Sequence, residues 1–465
     1  MTATRLSTVI LNPLLMTHPH SSHWIVAYSG GLDSHVLLHL LASNRSCWPE
    51  RTLAAVYVDH GLQADSVHWG EHCAQICRAL KIPFRILRID ARPAPRESPE
   101  AAARRARYAA LAAELNPETA LLTAHHRDDQ AETLLLQLLR GAGPHGLAAM
   151  PTASRLGSGW LLRPLLDVDR ADVLAYAHEH GLQWIEDTSN TNTDFDRNYL
   201  RHRILPPLRE RWPAFSSNLA RSARLCAETA NWLDTEADAD LVRVVAPRPD
   251  SLHLPALREL SELRQRNVLR RWLRQLGLAV PDSRQLRQIL RDMLNARHDR
   301  QPHVCWRGGE MRRYQDRLYA MLPLSSHDAH RTWIWRATAE GWPPLELPGL
   351  GILELHATVG AGLRAELLAD GVLWVRFRQG GERFRPVGRA HHQELKKLLQ
   401  EAGIPPWARD RLPLIYLPPF SACNSTENPE LLAVVGLGIA ATARSGESGL
   451  LPVLQSPSAT SSGIL

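Results

Sequence analysis

Lysine is nearly missing from this chain. Lys81, Lys396 and Lys397 are the only three, so 51 of the 54 basic residues are arginines. Genome base composition explains such a bias, yet it has a physical consequence, because a guanidinium suits phosphate oxygens and stacked bases better than an ammonium does. Cysteine is scarce too. Cys47, Cys73, Cys77, Cys226, Cys305 and Cys423 are scattered over 465 positions, which fits reduced thiols in the cytoplasm and argues against a disulfide framework. No run of 18 apolar residues occurs, so no membrane span is expected. Residues 1–22 hold one arginine, a short apolar run and no small-residue cleavage site, and read as a loose lead-in instead of a signal peptide. There is no Gly-Lys-Ser/Thr phosphate loop, no H-E-x-x-H zinc motif and no C-x2-C pair.

What is present is globular: 44% hydrophobic and 22% charged residues, with length enough for about three domains. The net charge of +6 is unevenly spread. Residues 258–317 carry fifteen arginines against seven acids, a net of +8 that leaves −2 for the remainder. A second basic stretch holds Arg197, Arg201, Arg203, Arg209, Arg211, Arg221 and Arg224, with Glu210 its only acid. Basic surfaces bind polyanions by releasing condensed counterions, so a nucleic-acid partner is plausible beside the plainer reading of solvated helix faces.

Apolar runs at 24–28, 53–59, 84–90 and 120–124 read as strands, and 32–41, 66–80, 100–115 and 128–140 as helices between them. Residues 160–166 continue the alternation. This pattern predicts an α/β fold with a doubly wound parallel sheet over 23–213. Residues 214–243 read as linker helices, with a Pro-rich linker at 244–255. A basic helical domain is expected over 244–324, a small α+β domain over 331–452 and a disordered tail over 453–465.

Ser29-Gly30-Gly31-Leu32-Asp33-Ser34 lies between the first strand and its helix. Glycines let backbone N–H groups approach a phosphate, the helix N-terminus favours negative charge, the serines donate to phosphate oxygens, and Asp33 suits a Mg²⁺ ion. A Gly-Gly turn alone would be only a tight turn. The full string in the first βα turn is more specific, and it resembles the pyrophosphate-binding loop of the PP-loop (N-type ATP pyrophosphatase) enzymes. Further segments narrow the resemblance. YVDHGLQADS at 57–66, EAAARRARYAAL at 100–111, TAHHRDDQAETLLLQLLRGAGPHGLAAMP at 123–151, RPLL at 163–166, EDTSNTNTDFDRNYLRHRILPPL at 186–208 and GERFRPVGRAHHQELKKLLQEAGIPPWARDRLPLIY at 381–416 resemble, in order, the signatures of the long form of the tRNA(Ile)-lysidine synthase family. Ala142 stands where that family often has serine. The C-x3-C spacing of Cys73 and Cys77 differs from the C-x2-C of PP-loop tRNA thiolases, and both read as core residues.

The resemblance implies ATP and Mg²⁺ as cofactors, with L-lysine and a tRNA(Ile) bearing a CAU anticodon as partners. It implies adenylation of the wobble cytidine on its C2 oxygen, then displacement of AMP by lysine. It suggests a monomer or homodimer and no membrane partner. By position, Ser29, Gly30, Gly31, Leu32, Asp33 and Ser34 would cradle the leaving pyrophosphate, with Asp33 also the metal ligand. Asp59 at the end of the second strand would face the adenosine, and Arg104 and Arg107 the phosphates or cytidine. Asp129 and Glu132, i,i+3 on one helix face, would take the lysine cation. An N-terminal helix cap is the bland alternative, favourable by about 0.3–1 kcal/mol. His125 is read as a phosphate contact or proton carrier. Arg197 is read as a catalytic cation, and Arg140, Asn198 and Arg201 as tRNA contacts, with Asp187 and Asn190 in the same block. The rival readings are another PP-loop adenylating enzyme, such as a 2-thiolase or an amide-forming synthetase, and a non-catalytic RNA-binding protein.

Overall fold

The computed structural model describes residues 6–18, 21–61, 66–93, 98–187, 191–246, 250–297, 300–419 and 429–455. Asn190 and the tail 456–465 fall outside them. The chain divides into two compact units, Met1–Trp232 and Leu233–Leu465.

The first unit is built on strands β1 (His23–Ala27), β2 (Thr52–Asp59), β3 (Phe84–Arg88), β4 (Thr119–Leu122), β5 (Ala153–Leu156) and β6 (Gly159–Leu162), in the order β3-β2-β1-β4-β6-β5. All pairings are parallel except that of edge strand β5 with β6. The helices are α1 (Thr8–Met16), α2 (Leu32–Ser43), α3 (Ser66–Ala79), α4 (Pro99–Ala113), α5 (Arg127–Leu139), α6 (Pro144–Leu147), α7 (Arg170–Glu179), α8 (Asp196–Tyr199), α9 (Leu205–Arg211) and α10 (Phe215–Val244), with a π-helical turn at Leu200–Ile204. Alternation along β1 shows why both faces are covered. Trp24 and Val26 enter one core with Leu37, Leu41 and Val173, while Ile25 enters a second with Leu111 and Leu121. Helix α2 is apolar almost all round, as its position against the sheet requires: Val36, Leu37, Leu38, Leu40 and Leu41 are all buried.

The lead-in expected to be loose is not loose throughout. Thr8–Met16 folds as α1 and sinks Leu11 and Leu15, 0% and 1% exposed, into the larger core. Burying each contributes on the order of 1.5–3 kcal/mol.

Helix α10 is 30 residues long, so the expected linker helices are a single helix. The second unit continues with β7 (Ser251–His253), α11 (Leu254–Glu259), α12 (Glu262–Gln275), α13 (Ser283–Asn295), β8 (His303–Trp306), β9 (Gly309–Tyr314) and β10 (Arg317–Met321). The expected helices are joined by an antiparallel sheet of order β7-β10-β9-β8. Most of the segment read as a Pro-rich linker is therefore structured. Leu252 and Leu254 are fully buried beside Trp272 and Leu318, which outweighs the local turn chemistry. Strands β11 (Trp333–Arg336), β12 (Leu345–Leu347), β13 (Gly351–Val359), β14 (Val372–Arg376), β15 (Arg383–Phe384) and β16 (Gln393–Glu394), helices α14 (Leu395–Glu401) and α15 (Pro406–Arg409), and strands β17 (Leu414–Leu417), β18 (Glu430–Val434), β19 (Gly438–Ile439) and β20 (Ser448–Gln455) complete the chain. Residues 453–455, expected in the tail, pair with β13. No described helix is long and apolar enough to cross a membrane.

Candidate functional site

The strand order reverses between β1 and β4, the place where a doubly wound sheet opens a crevice at its C-terminal edge. The loop Ser29–Ser34 leaves β1 there. Ser29 Oγ and Ser34 Oγ lie 3.0 Å apart, the Ser29 N–H donates to Ser34 Oγ (3.2 Å), and Ser34 Oγ donates to the Gly31 carbonyl (3.0 Å). Gly31 caps α2, with Leu32 as its first residue and Asp33 in its first turn. Gly30 is favoured by its backbone, and a side chain there would also press on the tip of Ile185. Its φ is +80°, and a Cβ there would sit 2.7 Å from Ile185 Cδ1. Ile185 N–H donates to the Gly30 carbonyl (2.9 Å), and His35 Nδ1 bonds the Gln183 carbonyl (2.8 Å), so the 183–185 segment braces the loop from outside.

Helix α5 delivers the acids from the adjoining strand β4. Its N-cap His126 lies 3.6 Å from Asp33 Oδ2 and 3.5 Å from Asp129 Oδ2 through one atom, Nε2. Asp129 Oδ2 also accepts the His126 backbone N–H (2.9 Å). One turn on, Glu132 is 1% exposed and is gripped on both oxygens by Arg201, Nε to Oε1 at 2.8 Å and Nη2 to Oε2 at 2.9 Å. Arg197 Nε stands 3.1 Å from Glu132 Oε2, its Nη2 donates to Thr133 Oγ1 (2.8 Å), and Arg201 Nη2 reaches Asp129 Oδ1 at 3.2 Å. Asp128 faces the other way and ties α5 to Arg209 (2.6 Å) and Ser216 (2.7 Å). Gln130 pairs both ways with the Met150 backbone, at 2.8 and 2.9 Å.

Burial and charge pull the two neighbouring histidines apart. Burial, helped by Arg163, Arg197 and Arg104 against the opposing charge of Asp129, pushes His125 down to about 4, so it is neutral near pH 7. Its Nδ1 is 2.9 Å from Thr123 Oγ1. Burial alone would lower His126 as well, but Asp33 and Asp129 beside it hold it above the usual histidine value. Asp129 is held below the usual carboxyl range: burial works to raise it, but His126, His125, the His126 N–H and Arg201 prevail. Burial raises the Glu132 carboxyl, against its bonds to Arg201. Asp33 Oδ1 is buried and has no hydrogen-bond partner.

The loop, His125, Asp129, Glu132, Arg197 and Arg201 thus converge, and Arg104 lies close enough to His125 to act on it. Arg107 is near enough to feel Arg104 and Arg197. Both Arg104 and Arg107 lie over the ring of Tyr108, at 5.1 and 5.6 Å. Other expected residues lie outside this knot. Asp59 Oδ1 accepts the Gly61 N–H (2.9 Å) at the end of β2, and Asn198 Nδ2 donates to the Asn192 carbonyl (2.9 Å). Arg140 caps the far end of α5, 3.9 Å from Asp196. Sequence reasoning passed over His126 and Arg163. Two adjacent histidines on extended backbone must face opposite ways, so one of them had to look towards the loop. Arg163, inside RPLL, is 7% exposed and donates to the Pro151 carbonyl (2.7 Å). Burial pushes the Cys73 and Cys77 thiols up to about 12, as suits core residues.

Models of known families match three stretches of the chain: a PP-loop domain over residues 3–208, a TilS substrate binding domain over 252–319 and a TilS substrate C-terminal domain over 373–453. The tRNA(Ile)-lysidine synthase of Methylococcus capsulatus is 47% identical over 401 residues, 86% of this chain and 90% of that one. The synthase of Coxiella burnetii is 44% identical over 91% of this chain and 90% of its own. That of Alkalilimnicola ehrlichii is 43% identical over 92% of each. The chain belongs to the tRNA(Ile)-lysidine synthase family.

Proposed function

We propose that this protein is an ATP-dependent ligase that joins L-lysine to C2 of the wobble cytidine in the CAU anticodon of tRNA(Ile). The observation that carries the reading is the meeting of the Ser29–Ser34 turn with a buried knot of acids and arginines at the reversal of the sheet. The C2 oxygen of cytidine attacks the α-phosphorus of ATP, and pyrophosphate leaves. The ε-nitrogen of lysine then bonds to C2, AMP leaves, and the nitrogen sheds a proton.

The loop's N–H groups and serine hydroxyls, bonded to one another as Ser29 N–H to Ser34 Oγ and Ser34 Oγ to the Gly31 carbonyl, would turn to the leaving pyrophosphate, where negative charge grows. Asp33 Oδ1, buried without a partner, fits a hard cation. Bound there, Mg²⁺ would offset charge on the pyrophosphate. His126 Nε2 between Asp33 and Asp129 fixes the direction of both carboxylates. Of the two roles read for His125, phosphate contact suits a neutral ring whose N–H can donate, because a group pushed down to about 4 is too weak a base to hold the proton that the lysine nitrogen sheds.

Asp129 and Glu132 remain the acids proposed for lysine, with a refinement. Arg201 and Arg197 already occupy the cation seats around Glu132. The substrate ammonium takes a seat as Arg201, about a third exposed, turns away towards the phosphates or the tRNA backbone. Arg104 and Arg107 with Arg197 form the cationic side facing ATP and cytidine. Asp59 is assigned to the adenosine, and Arg140 and Asn198 to tRNA. ATP and tRNA as substrates support a cytoplasmic enzyme, and the family resemblance supports a monomer or homodimer.

AMP release measured with unmodified tRNA tests the reading. AMP is expected to accumulate only when both tRNA and lysine are present. Equal release with lysine omitted and sulfide or ammonia supplied would replace this function with that of a thiolase or amide-forming relative.

A further inference from the structure

We propose that His303, Cys305 and Glu310 form a binding site for a divalent transition-metal ion of the zinc class on the β8–β9 hairpin. None of the three belongs to the site described above, and the inference does not rest on that reading.

The register builds the site. Cys305 pairs directly with Glu310 across the hairpin, and His303 with Arg312. Residues two apart on a strand share a face, so His303, Cys305, Glu310 and Arg312 all project to one side. His303 Nε2 lies 3.0 Å from Glu310 Oε2 and 3.1 Å from Cys305 Sγ, and Cys305 Sγ lies 3.8 Å from the same carboxylate oxygen. Zinc bonds of about 2.0–2.3 Å in a tetrahedron separate neighbouring ligands by roughly 3.3–3.8 Å. The three donors therefore need move only a few tenths of an ångström to close on an ion. Among the described residues this is the one group of three His, Cys or acidic side chains whose ligand atoms come so close together.

The donor chemistry agrees. Imidazole, thiolate and one carboxylate oxygen make a mixed N, S, O set that zinc accepts and magnesium or calcium does not. Glu310 is 3% exposed in its side chain, and Arg312 Nε holds its Oε1 at 2.8 Å, leaving Oε2 directed at His303 and Cys305. Such an outer hydrogen bond is how ligating carboxylates are commonly fixed. Arg312 Nη2 also reaches Oε2, at 3.3 Å, and would slacken as the ion takes that oxygen. His303 and Cys305 are both exposed on the outer side, which leaves the fourth position to water and gives the ion a way in. A thiol ligates as the thiolate, so the ion must displace the Cys305 proton. Strand β8 is the edge of its sheet, and an ion joining it to β9 would pin that edge within the basic region of the chain.

The test uses the intact protein with Co²⁺ and Zn²⁺ as probes. Co²⁺ is expected to give one equivalent of a thiolate charge-transfer band that Zn²⁺ displaces, that Cys305→Ser abolishes and that His303→Ala weakens in affinity by about ten-fold or more. On the wild-type chain, alkylation by iodoacetamide is read by peptide mass spectrometry. Zinc at ten times its Kd is expected to slow the reaction of Cys305 about ten-fold while leaving the exposed Cys47 unchanged. Alkylation of Cys305 at the same rate with and without zinc would overturn the proposal. So would a charge-transfer band that survives Cys305→Ser.

Discussion

Between α10 and α12, Arg264 closes on both oxygens of Asp240 at 2.8 and 2.6 Å, and Arg271 closes on both of Asp238 at 2.7 Å. Arg274 and Arg271 share Asp234 at 2.7 and 3.2 Å. Around α5, Arg201 grips Glu132 with the same fork. The two networks use identical chemistry to different ends. The α10–α12 ladder is closed: its carboxylates are matched by guanidinium groups, and it clamps two helices, with Asp240 as buried as Glu132 at 1% exposure and the Arg271–Asp238 pair partly wet at 29% and 42%. The α5 network is buried at Glu132 and unfinished at its edge, where Asp33 Oδ1 lacks a partner and one histidine is pushed down while its neighbour is held up. Both networks bury a carboxylate, so what separates them is completeness: the first is closed, and the second keeps the open oxygen of Asp33.

The sharpest way to break the comparison is to remove one partner of an ion pair from each network. Arg201→Ala leaves Glu132 buried with only Arg197 nearby and is expected to cost about 3 kcal/mol of stability, whereas Asp238→Asn should cost no more than about 1 kcal/mol. Denaturant melts of both variants check this; equal losses would mean the two networks do not differ. Glu132→Gln combined with Arg201→Ala should recover part of the loss, because the buried carboxylate that Arg201 gripped on both oxygens is then neutral.

Asp33→Ala leaves the fold intact and removes the open carboxylate oxygen. Adenylation, followed as pyrophosphate release, is expected to fall by roughly 10²–10³ in kcat, with tRNA affinity unchanged by filter binding. Retained turnover would take Asp33 out of the pyrophosphate and metal role.

The histidines set a pH signature. His125 sits at about 4 in the folded chain against 6.5 unfolded. Between those values the unfolded chain binds more protons, so stability is lost as pH falls from about 6.5 towards about 4. His126, held above 6.5, contributes fully below that value and loses its contribution as pH rises through its folded pKa. Melting temperatures of wild type and His125→Gln across pH 4–7 check the first effect. The variant should show the shallower acid-side fall, and identical slopes would contradict the assignment.

The smallest expected effect concerns the basic region. Several of its arginines are spent inside the protein: Arg264, Arg271 and Arg274 on the ladder, and Arg313, 2% exposed, on the carbonyls of Met293 and Ala296 at the end of α13. Arg284, Arg287 and Arg291 instead form an exposed stripe opposite the buried Leu286, Ile289 and Leu290. Replacing all three by alanine is expected to weaken tRNA binding uniformly and to flatten its salt dependence by about 0.9 per lost phosphate contact. An unchanged slope would make the stripe an ordinary solvated face.

Much of the first unit was legible because its signals are local. A βα turn of Ser and Gly, strands such as Thr119–Leu122 buried along their whole length and the i,i+3 spacing of Asp129 and Glu132 all read directly from neighbouring letters. The bracing of Gly30 by Ile185 was not legible, since those residues lie far apart in the chain and nothing local marks the contact. The linker reading of 244–255 failed for a similar reason. Proline and aspartate signal a turn, but Leu252 and Leu254 are claimed by a core whose other members lie as far on as Leu318. The charge of 258–317 was legible as a sum and not as a surface, because which arginines are consumed internally depends on the helix that packs against them.

One measurement bears most directly on the central claim, that the Ser29–Ser34 turn and the α5 acids together activate a cytidine and present lysine to it. A tRNA(Ile) transcript with a CAU anticodon is incubated with the protein, ATP and isotopically labelled lysine, digested, and its nucleosides weighed. The account requires labelled lysine on one cytidine-derived nucleoside, dependent on ATP and lost in Asp33→Ala. A transcript that emerges with unmodified cytidine while ATP is consumed, or one that carries sulfur or a bare amine in place of lysine, would contradict it.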